Sequence, residues 1–423
     1  MSALLLQLAE ARRLGRPFGI ASVCSAHPTV LRAAIRRAKQ RGRHVLIEAT
    51  CNQVNHLGGY TGMTPADFRA FVEAICAEEG LAFDQVILGG DHLGPNPWRG
   101  EEPMTAMAKA EAMVEAYVAA GFGKLHLDTS MACAGESQAL AESVIAERAA
   151  RLCGVAEAMA SRLNLSKPLY VLGTEVPVPG GADHVLDTVE PTRPDAAEAT
   201  IAYHAEIFDK AGLAEAFSRV IAFVVQPGVE FGSDNVIAYD RQRARSLAAV
   251  LEHHPNLVFE AHSTDYQSRE ALRALVEDGF PILKVGPWLT FAYREAIYGL
   301  DMIAAELVAE YGGRRLRDRM EALLTADPKD WRGHYHGDDT ALALQRHYSY
   351  SDRIRYYWNR PEAHAAVEDL RHALSGLKIP ETLFHQYLPS LASSLASQAM
   401  EEILIAAVDQ VLDLYDQAAG DPT

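Results

Sequence analysis

Eight short runs rich in Val, Ile and Leu punctuate the first 287 residues, and most of them are apolar at nearly every position rather than alternating in the manner of a half-exposed strand. In order they are FGIASVCS from Phe18, HVLIEAT from His44, QVILGGD from Gln85, KLHLDTS from Lys124, LYVLGTEV from Leu169, VIAFVVQPG from Val220, LVFEAHS from Leu257 and PILKVGP from Pro281. A strand that is apolar at nearly every position is buried on both faces, which is how parallel strands under a layer of helices read. Between the runs lie segments such as PTVLRAAIRRAKQRG and TPADFRAFVEAICAEEG, with apolar positions at helical spacing and a glycine near the end. Eight β-then-α units predict an α/β protein built on a (β/α)8 TIM barrel over residues 1–300, with its chemistry at the carboxyl ends of the strands. An open doubly wound sheet ranks second, because VCSAHP after the first strand is not a Gly-rich phosphate fingerprint.

Beyond Leu300 the pattern becomes helix upon helix, interrupted by the polar aromatic stretch HYHGDDTALALQRHYSYSDRIRYYWNRP. Residues 301–423 read as a helical C-terminal extension packed on the barrel, as a lid or a subunit contact, and a homo-oligomer is expected. At 423 residues and 49% hydrophobic content the chain can bury a large core. No run of 18 apolar residues occurs, and the opening MSALLLQLAEARRLGRPFG is an amphipathic helix rather than a signal-peptide core. A cytoplasmic location without membrane attachment is the expectation. A formal charge of -17 disfavours nucleic acid as a partner. The five cysteines show no CxxC spacing and read as buried thiols rather than a zinc site.

The residues at which the runs stop carry the chemistry. The first ends in Ser25 and His27, the second in Glu48 followed by Asn52, Gln53 and Asn55, the third in Asp91, His92 and Asn96, and the fourth in Asp128 and Ser130. Glu175, Gln226, the trio Glu260, His262 and Asp265, and finally Lys284 close the other four. Buried carboxylates and imidazoles are costly unless paired or bound to a cation, so such a ring calls for a divalent metal, zinc first and manganese second. His92 and His262 are the expected ligands, with Glu175 completing the set and Asp128 or Glu260 in reserve. Asp91, Asp128 and Glu175 are the candidate catalytic groups. Glu48, Asn52, Asn96, Gln226, Ser263, Asp265, Lys284 and Thr290 are left to bind substrate.

A lone histidine at a strand end is more often a hydrogen-bonded core residue, and His44, His56, His126 and His184 are read that way; coincidence across strands is what sets His92 and His262 apart. Asp91 serves as a general acid or base if the strand breaks at Gly89 and Gly90, so that it converges with its neighbour His92; capping of the following turn is the plainer alternative. Lys284, flanked by ILKVG, is first an ion-pairing or substrate-oxygen group and second a Schiff-base amine. An anion is expected at one of two helix starts, VGPWLTFAYREA with Thr290 or HSTDYQSREA. The weaker GGYTGMTPADF also opens a helix, with Thr64 as cap.

The strings SVCSAHP, LIEATCNQVNHLGGYTGMTPADF, ILGGDHLGPN, HLDTSMACAG, GTEVPVPGG, VVQPGVEF, EAHSTDYQ, LKVGPWLTFAYREAI and SDRIRYYW resemble the GatZ/KbaZ family, named as non-catalytic subunits of class II D-tagatose-1,6-bisphosphate aldolase. The resemblance runs through the whole chain. It implies a TIM barrel in galactitol, tagatose or N-acetylgalactosamine catabolism, with a phosphorylated ketohexose as ligand. Some members of that family stabilise a separate class II aldolase catalytic subunit; others resemble stand-alone epimerases that interconvert D-tagatose 6-phosphate and D-fructose 6-phosphate at C4. The Asp-His pair of the third strand is similar to the acid and metal-ligand pair of class II aldolases, while Glu175 stands where those enzymes have a histidine, which argues against direct aldolase activity. The polar ring favours the epimerase, acting by retro-aldol cleavage with Asp91 on the C4 hydroxyl. Sugar-phosphate kinase activity is the least supported reading, since no Walker A loop occurs.

Overall fold

The computed structural model describes residues 3–137, 139–173 and 188–421. Eight parallel strands close into a barrel: β1 (Ile20–Cys24), β2 (Val45–Thr50), β3 (Val86–Leu93), β4 (Lys124–Leu127), β5 (Leu169–Gly173), β6 (Val220–Val224), β9 (Val258–Ala261) and β10 (Ile282–Val285). Seven of them lie within their apolar runs, and β3 continues two residues past its own, through His92 and Leu93. A short antiparallel hairpin, β7 (Glu230–Phe231) with β8 (Val236–Ile237), intervenes after the sixth barrel strand. At two residues a strand it is too brief for any periodicity to announce it.

Helices alternate with the strands as the sequence predicts. The one after β2, Pro65–Glu79, starts on a capping box in which the Thr64 side chain accepts from the Asp67 amide, and it ends on Gly80 in a left-handed conformation. The N-terminal helix Ala3–Arg13 presses Leu5 and Leu8 onto an apolar plug made of Ile20, Leu46, Ile87, Val171, Ile221 and Ile282. These strand residues fill the barrel's amino end, so polar groups facing the lumen are confined to the other end.

Helix Pro287–Leu307 runs through residue 300, and the chain after it returns to the barrel. The last helix, Met400–Ala419, lies against the first barrel helix, Pro28–Arg41: Arg37 bonds Asp409 and Asp413, at 2.7 and 2.8 Å. Its Tyr415 hydroxyl donates to the Thr264 carbonyl beyond β9 at 2.8 Å, and the Ala419 carbonyl accepts from the Gly19 amide ahead of β1. Among the described residues no helix is long and apolar enough to cross a membrane.

One joint of the extension is pH-sensitive. His347 is fully buried between the Tyr298 hydroxyl at 2.6 Å and Glu321 at 3.0 Å. Burial, reinforced by Arg317, lowers its pKa to about 4. The unfolded chain therefore binds a proton below pH 6.5 that the native chain refuses, so the contribution is complete above that pH and is lost as pH falls toward 4. Between pH 7 and 4 the unfolding free energy of the natural chain is expected to fall by up to about 3 kcal/mol more than that of His347→Gln. Urea midpoints measured across that range check it; parallel curves for the two proteins would refute it.

Candidate active site and metal centre

Gly89 and Gly90 are glycines because of what crosses them. A Cβ on Gly89 would lie 2.7 Å from the Glu48 side chain, and one on Gly90 would lie 2.7 Å from Leu93 and 2.8 Å from Tyr117. The break that turns Asp91 and His92 to one side comes two residues later. The register between β3 and β4 shifts between Gly90 and Leu93, and His92 itself takes a left-handed φ of 49°. A non-glycine residue in that region is strained, and in this chain Ser263, Tyr266 and Asp352 share the condition. Gly94 then permits the close approach of β4: a Cβ there would lie 1.7 Å from the Asp128 carbonyl oxygen.

With the strand broken at His92, four side chains meet. Asp91, His92, His126 and His262 present ligand atoms that all lie within 4.8 Å of one another. The three imidazoles surround a common point, with ring centroids 4.8 to 5.1 Å apart. Each ring has one nitrogen tied off: His92 Nδ1 to Asp128 at 2.8 Å, His126 Nε2 to the Gly173 carbonyl at 3.0 Å, and His262 Nε2 to Glu260 at 2.9 Å. Because these partners accept, the tied nitrogen of a neutral ring carries the hydrogen, the outer-shell arrangement of metal-binding histidines.

The lone pair of His126 Nδ1 sits 3.0 Å from Asp91 Oδ1, so two acceptors face each other. The His92 amide donates to that nitrogen at 3.3 Å, and a cation or a proton between the two acceptors would relieve their contact. His92 registers the same pull: burial lowers its pKa, but Asp91 and Asp128 outweigh burial and hold it above the usual value. His262 goes the other way, pushed down to about 3 by burial, and stays neutral as a ligand must.

Beneath the imidazoles is a dry charge cluster. Lys124 lies 2.6 Å from Glu48 and 2.7 Å from Glu260, and all three side chains are wholly buried. Lys284 lies 2.5 Å from Glu48 and 2.7 Å from Asp91. Burial works against the Lys284 ammonium, but Asp91 and Glu48 raise its pKa well above the ordinary lysine value, the opposite of what a Schiff-base amine needs. Burial likewise opposes the Asp91 carboxylate, and His92 and Lys284 together hold its pKa well below normal. Three carboxylates, those of Glu48, Asp91 and Glu260, share two ammonium groups, and Asp128 faces His92, which leaves an excess of negative charge suited to a divalent cation.

The open cavity above this floor is lined by Asn52, Asp91, His92, Asn96, Asp128, His262, Ser263, Asp265 and Lys284, all expected from the sequence. The structure separates others from it. Glu260 faces Lys124 and orients His262 rather than pointing at the shared centre. Gln226 accepts from the Gly228 and Val229 amides and shapes a turn. Thr290 donates to Asp352 at 2.7 Å and lines a neighbouring chamber. Glu175 lies outside the described residues. The amides expected to hold an anion after β10 are already occupied, since Asp265 Oδ1 accepts from Gly286 and Trp288 at 3.0 and 2.8 Å.

His126, read from sequence as strand core, and Lys124, not singled out there, both belong to the site. So do Arg353 and Arg355, which come from the extension and line the same cavity. A usable signal for the first two was the spacing: KLHL places Lys124 and His126 two apart on one strand face, as FEAH places Glu260 and His262.

A family model described as "D-tagatose-1,6-bisphosphate aldolase subunit GatZ/KbaZ-like" matches residues 5–420. A protein of Agrobacterium fabrum (strain C58 / ATCC 33970) named D-tagatose 6-phosphate 4-epimerase is 67% identical over 422 residues, covering 100% of this chain and 99% of its own. The crystal structure of a protein from Sinorhizobium meliloti 1021, named a probable tagatose 6 phosphate kinase, superposes with a TM-score of 0.87 at 53% identity. That match covers 95% of this chain and 100% of the other. The chain belongs to the D-tagatose-1,6-bisphosphate aldolase subunit GatZ/KbaZ-like family.

Proposed function

We propose that this chain is a sugar-phosphate isomerase that interconverts D-tagatose 6-phosphate and D-fructose 6-phosphate at C4, the activity named for its A. fabrum relative. The observation that carries the reading is the convergence of three histidines, each with one ring nitrogen tied off behind it, beside an ionised Asp91. His92, His126 and His262 would hold a divalent cation, and three neutral nitrogen donors suit zinc first and manganese second. When bound, that cation supplies Lewis acidity toward the ketose oxygens.

C4 is not adjacent to the carbonyl, so a carbanion formed there by direct deprotonation has no stabilisation. Cleavage of C3–C4 avoids that. Lys284 engages Asp91 Oδ1 at 2.7 Å, while Oδ2 has only the longer contacts to His92 Nε2 at 3.8 Å and the Cys24 thiol at 3.9 Å among the described residues, which makes Oδ2 the oxygen to take the C4 hydroxyl proton. As C4 becomes an aldehyde, the C3–C4 electron pair moves toward the C2 carbonyl oxygen. The aldehyde presents its other face, C3 adds to it, and Asp91 returns the proton to the C4 oxygen. Lys284 keeps Asp91 ionised between turnovers. Asn52, Asn96 and Ser263 line the cavity, where they can bond the sugar hydroxyls.

The family description names an aldolase subunit, so a stabilising role beside a class II aldolase chain is the second reading. The kinase name of the S. meliloti protein finds no P-loop in this sequence to support it. Incubating the purified chain alone with D-tagatose 6-phosphate and following proton NMR separates these readings. D-fructose 6-phosphate is expected to accumulate, to stop on chelation and to resume on adding zinc or manganese. No turnover with metal present, together with increased stability of a co-expressed aldolase subunit, would favour the subunit reading instead.

A further inference from the structure

We propose that Arg353 and Arg355, carried by the helical extension, clamp the phosphate group of the substrate at the mouth of the barrel; the proposal rests on the ketose-phosphate reading above. Both side chains line the cavity that holds Asp91, His92, His262 and Lys284. Neither has a carboxylate within ion-pairing distance among the described residues. Arg353 Nη1 donates to the Asp330 carbonyl at 2.9 Å. Arg355 Nη1 donates to the Ser351 and Asp352 carbonyls, and its Nη2 to the Tyr356 hydroxyl at 2.9 Å. All these acceptors are neutral. The nearby Asp352 carboxylate is already committed, to Arg294 at 2.7 Å and Thr290 at 2.7 Å.

Two guanidiniums without a counter-ion at a half-buried cavity wall are an unsatisfied arrangement that a bidentate anion completes. Burial lowers the pKa of Arg353, and Arg355 adds repulsion to it; both side chains reach the wall of the same cavity. The usual place for a phosphate in this fold is closed, because Asp265 fills the amides at the start of helix Pro287–Leu307. Burial raises the Asp265 pKa to about 6, still ionised at neutral pH, and a phosphate there would meet its charge.

The arginines sit on a braced turn. Asp352 holds a left-handed φ of 45° through its bonds to Arg294 and Thr290, Tyr266 donates to the Tyr350 carbonyl at 2.6 Å, and the Arg353 amide donates to the Tyr335 hydroxyl at 3.1 Å. Such bracing spares the ligand the cost of ordering its own site. The placement also has a chemical consequence. After C3–C4 cleavage the phosphate stays on the three-carbon aldehyde that must present its other face, so the clamp keeps that fragment in the site until the bond reforms.

Arg355→Met and Arg353→Met, with Arg355→Lys as the conservative variant, test this in the metal-loaded full chain. The ratio of kcat/KM for D-tagatose 6-phosphate to that for D-tagatose is expected to fall at least about 30-fold in Arg355→Met, mostly through KM, with partial recovery in Arg355→Lys. Competitive inhibition by inorganic phosphate should weaken in parallel, and glyceraldehyde 3-phosphate released during turnover should increase. Equal losses on both sugars, or unchanged phosphate inhibition, would overturn the clamp. Calorimetric binding of D-tagatose 6-phosphate keeps the two proposals apart. If the natural chain binds it without turnover and Arg355→Met does not bind it, the epimerase reading fails and the clamp stands; equal binding by both proteins sinks the clamp.

Discussion

Replacing His126 with alanine is expected to lower kcat/KM for D-tagatose 6-phosphate by about a thousandfold or more, and to strip divalent metal from the purified chain. The size follows from the geometry. His126 is fully buried, its Nε2 is fixed on the Gly173 carbonyl, and its Nδ1 faces both Asp91 and the backbone amide of His92. Its loss removes one of three nitrogen donors and at the same time the acceptor of the His92 amide at the break in β3. Metal content by atomic emission and turnover by NMR are the two readouts. A useful control is His204, also fully buried but, among the described residues, hydrogen-bonded only to its own helix through the Thr200 carbonyl; His204→Ala should keep its metal and its turnover per folded molecule. Retention of bound metal and of activity within tenfold in His126→Ala would remove the proposed centre.

The contrast between those histidines marks where sequence reading stops. The barrel strands are legible because burial on both faces leaves a local trace in every run, and the strand-end residues Asp91, His92 and His262 are legible because ionisable groups interrupt that trace. His126 is not, since Leu125 and Leu127 on either side are packed against the outer helices and make the segment read as continuous core. What that reading misses is the lumen face of the strand, which has a period of two and carries Lys124 and His126. Glu260 shows the reverse limit. As a strand-end carboxylate it looks like a metal ligand, and only the partner strands reveal that Lys124 and His262 claim it. Arg353 and Arg355 lie far along the chain from every strand end, and no spacing rule brings them to the mouth. Their place follows from how residues 344–356 dock through Tyr266, Thr290 and Arg294, which is tertiary information.

Lys124→Met is expected to cost about 3–5 kcal/mol of unfolding free energy, the largest stability loss of any single change considered. Lys124 has no exposed surface and bridges two carboxylates that have none either, Glu48 at 2.6 Å and Glu260 at 2.7 Å. Removing the ammonium leaves Lys284 as the one remaining ammonium for Glu48, Glu260 and Asp91, and an uncompensated buried charge is far more costly than the pair is favourable. For the same reason the double change Lys124→Met with Glu260→Met should regain most of the lost stability, since an apolar pair of similar volume replaces the ion pair. It should not regain activity. Glu260 accepts from His262 Nε2 at 2.9 Å, and without that bond the ring loses the partner that fixes its tautomer and orientation. Urea unfolding of the single and double variants, with turnover measured on each, separates the two roles of the cluster. A loss below about 1 kcal/mol for Lys124→Met would show that the charges are not dry, and full activity in the double variant would show that Glu260 does not position His262.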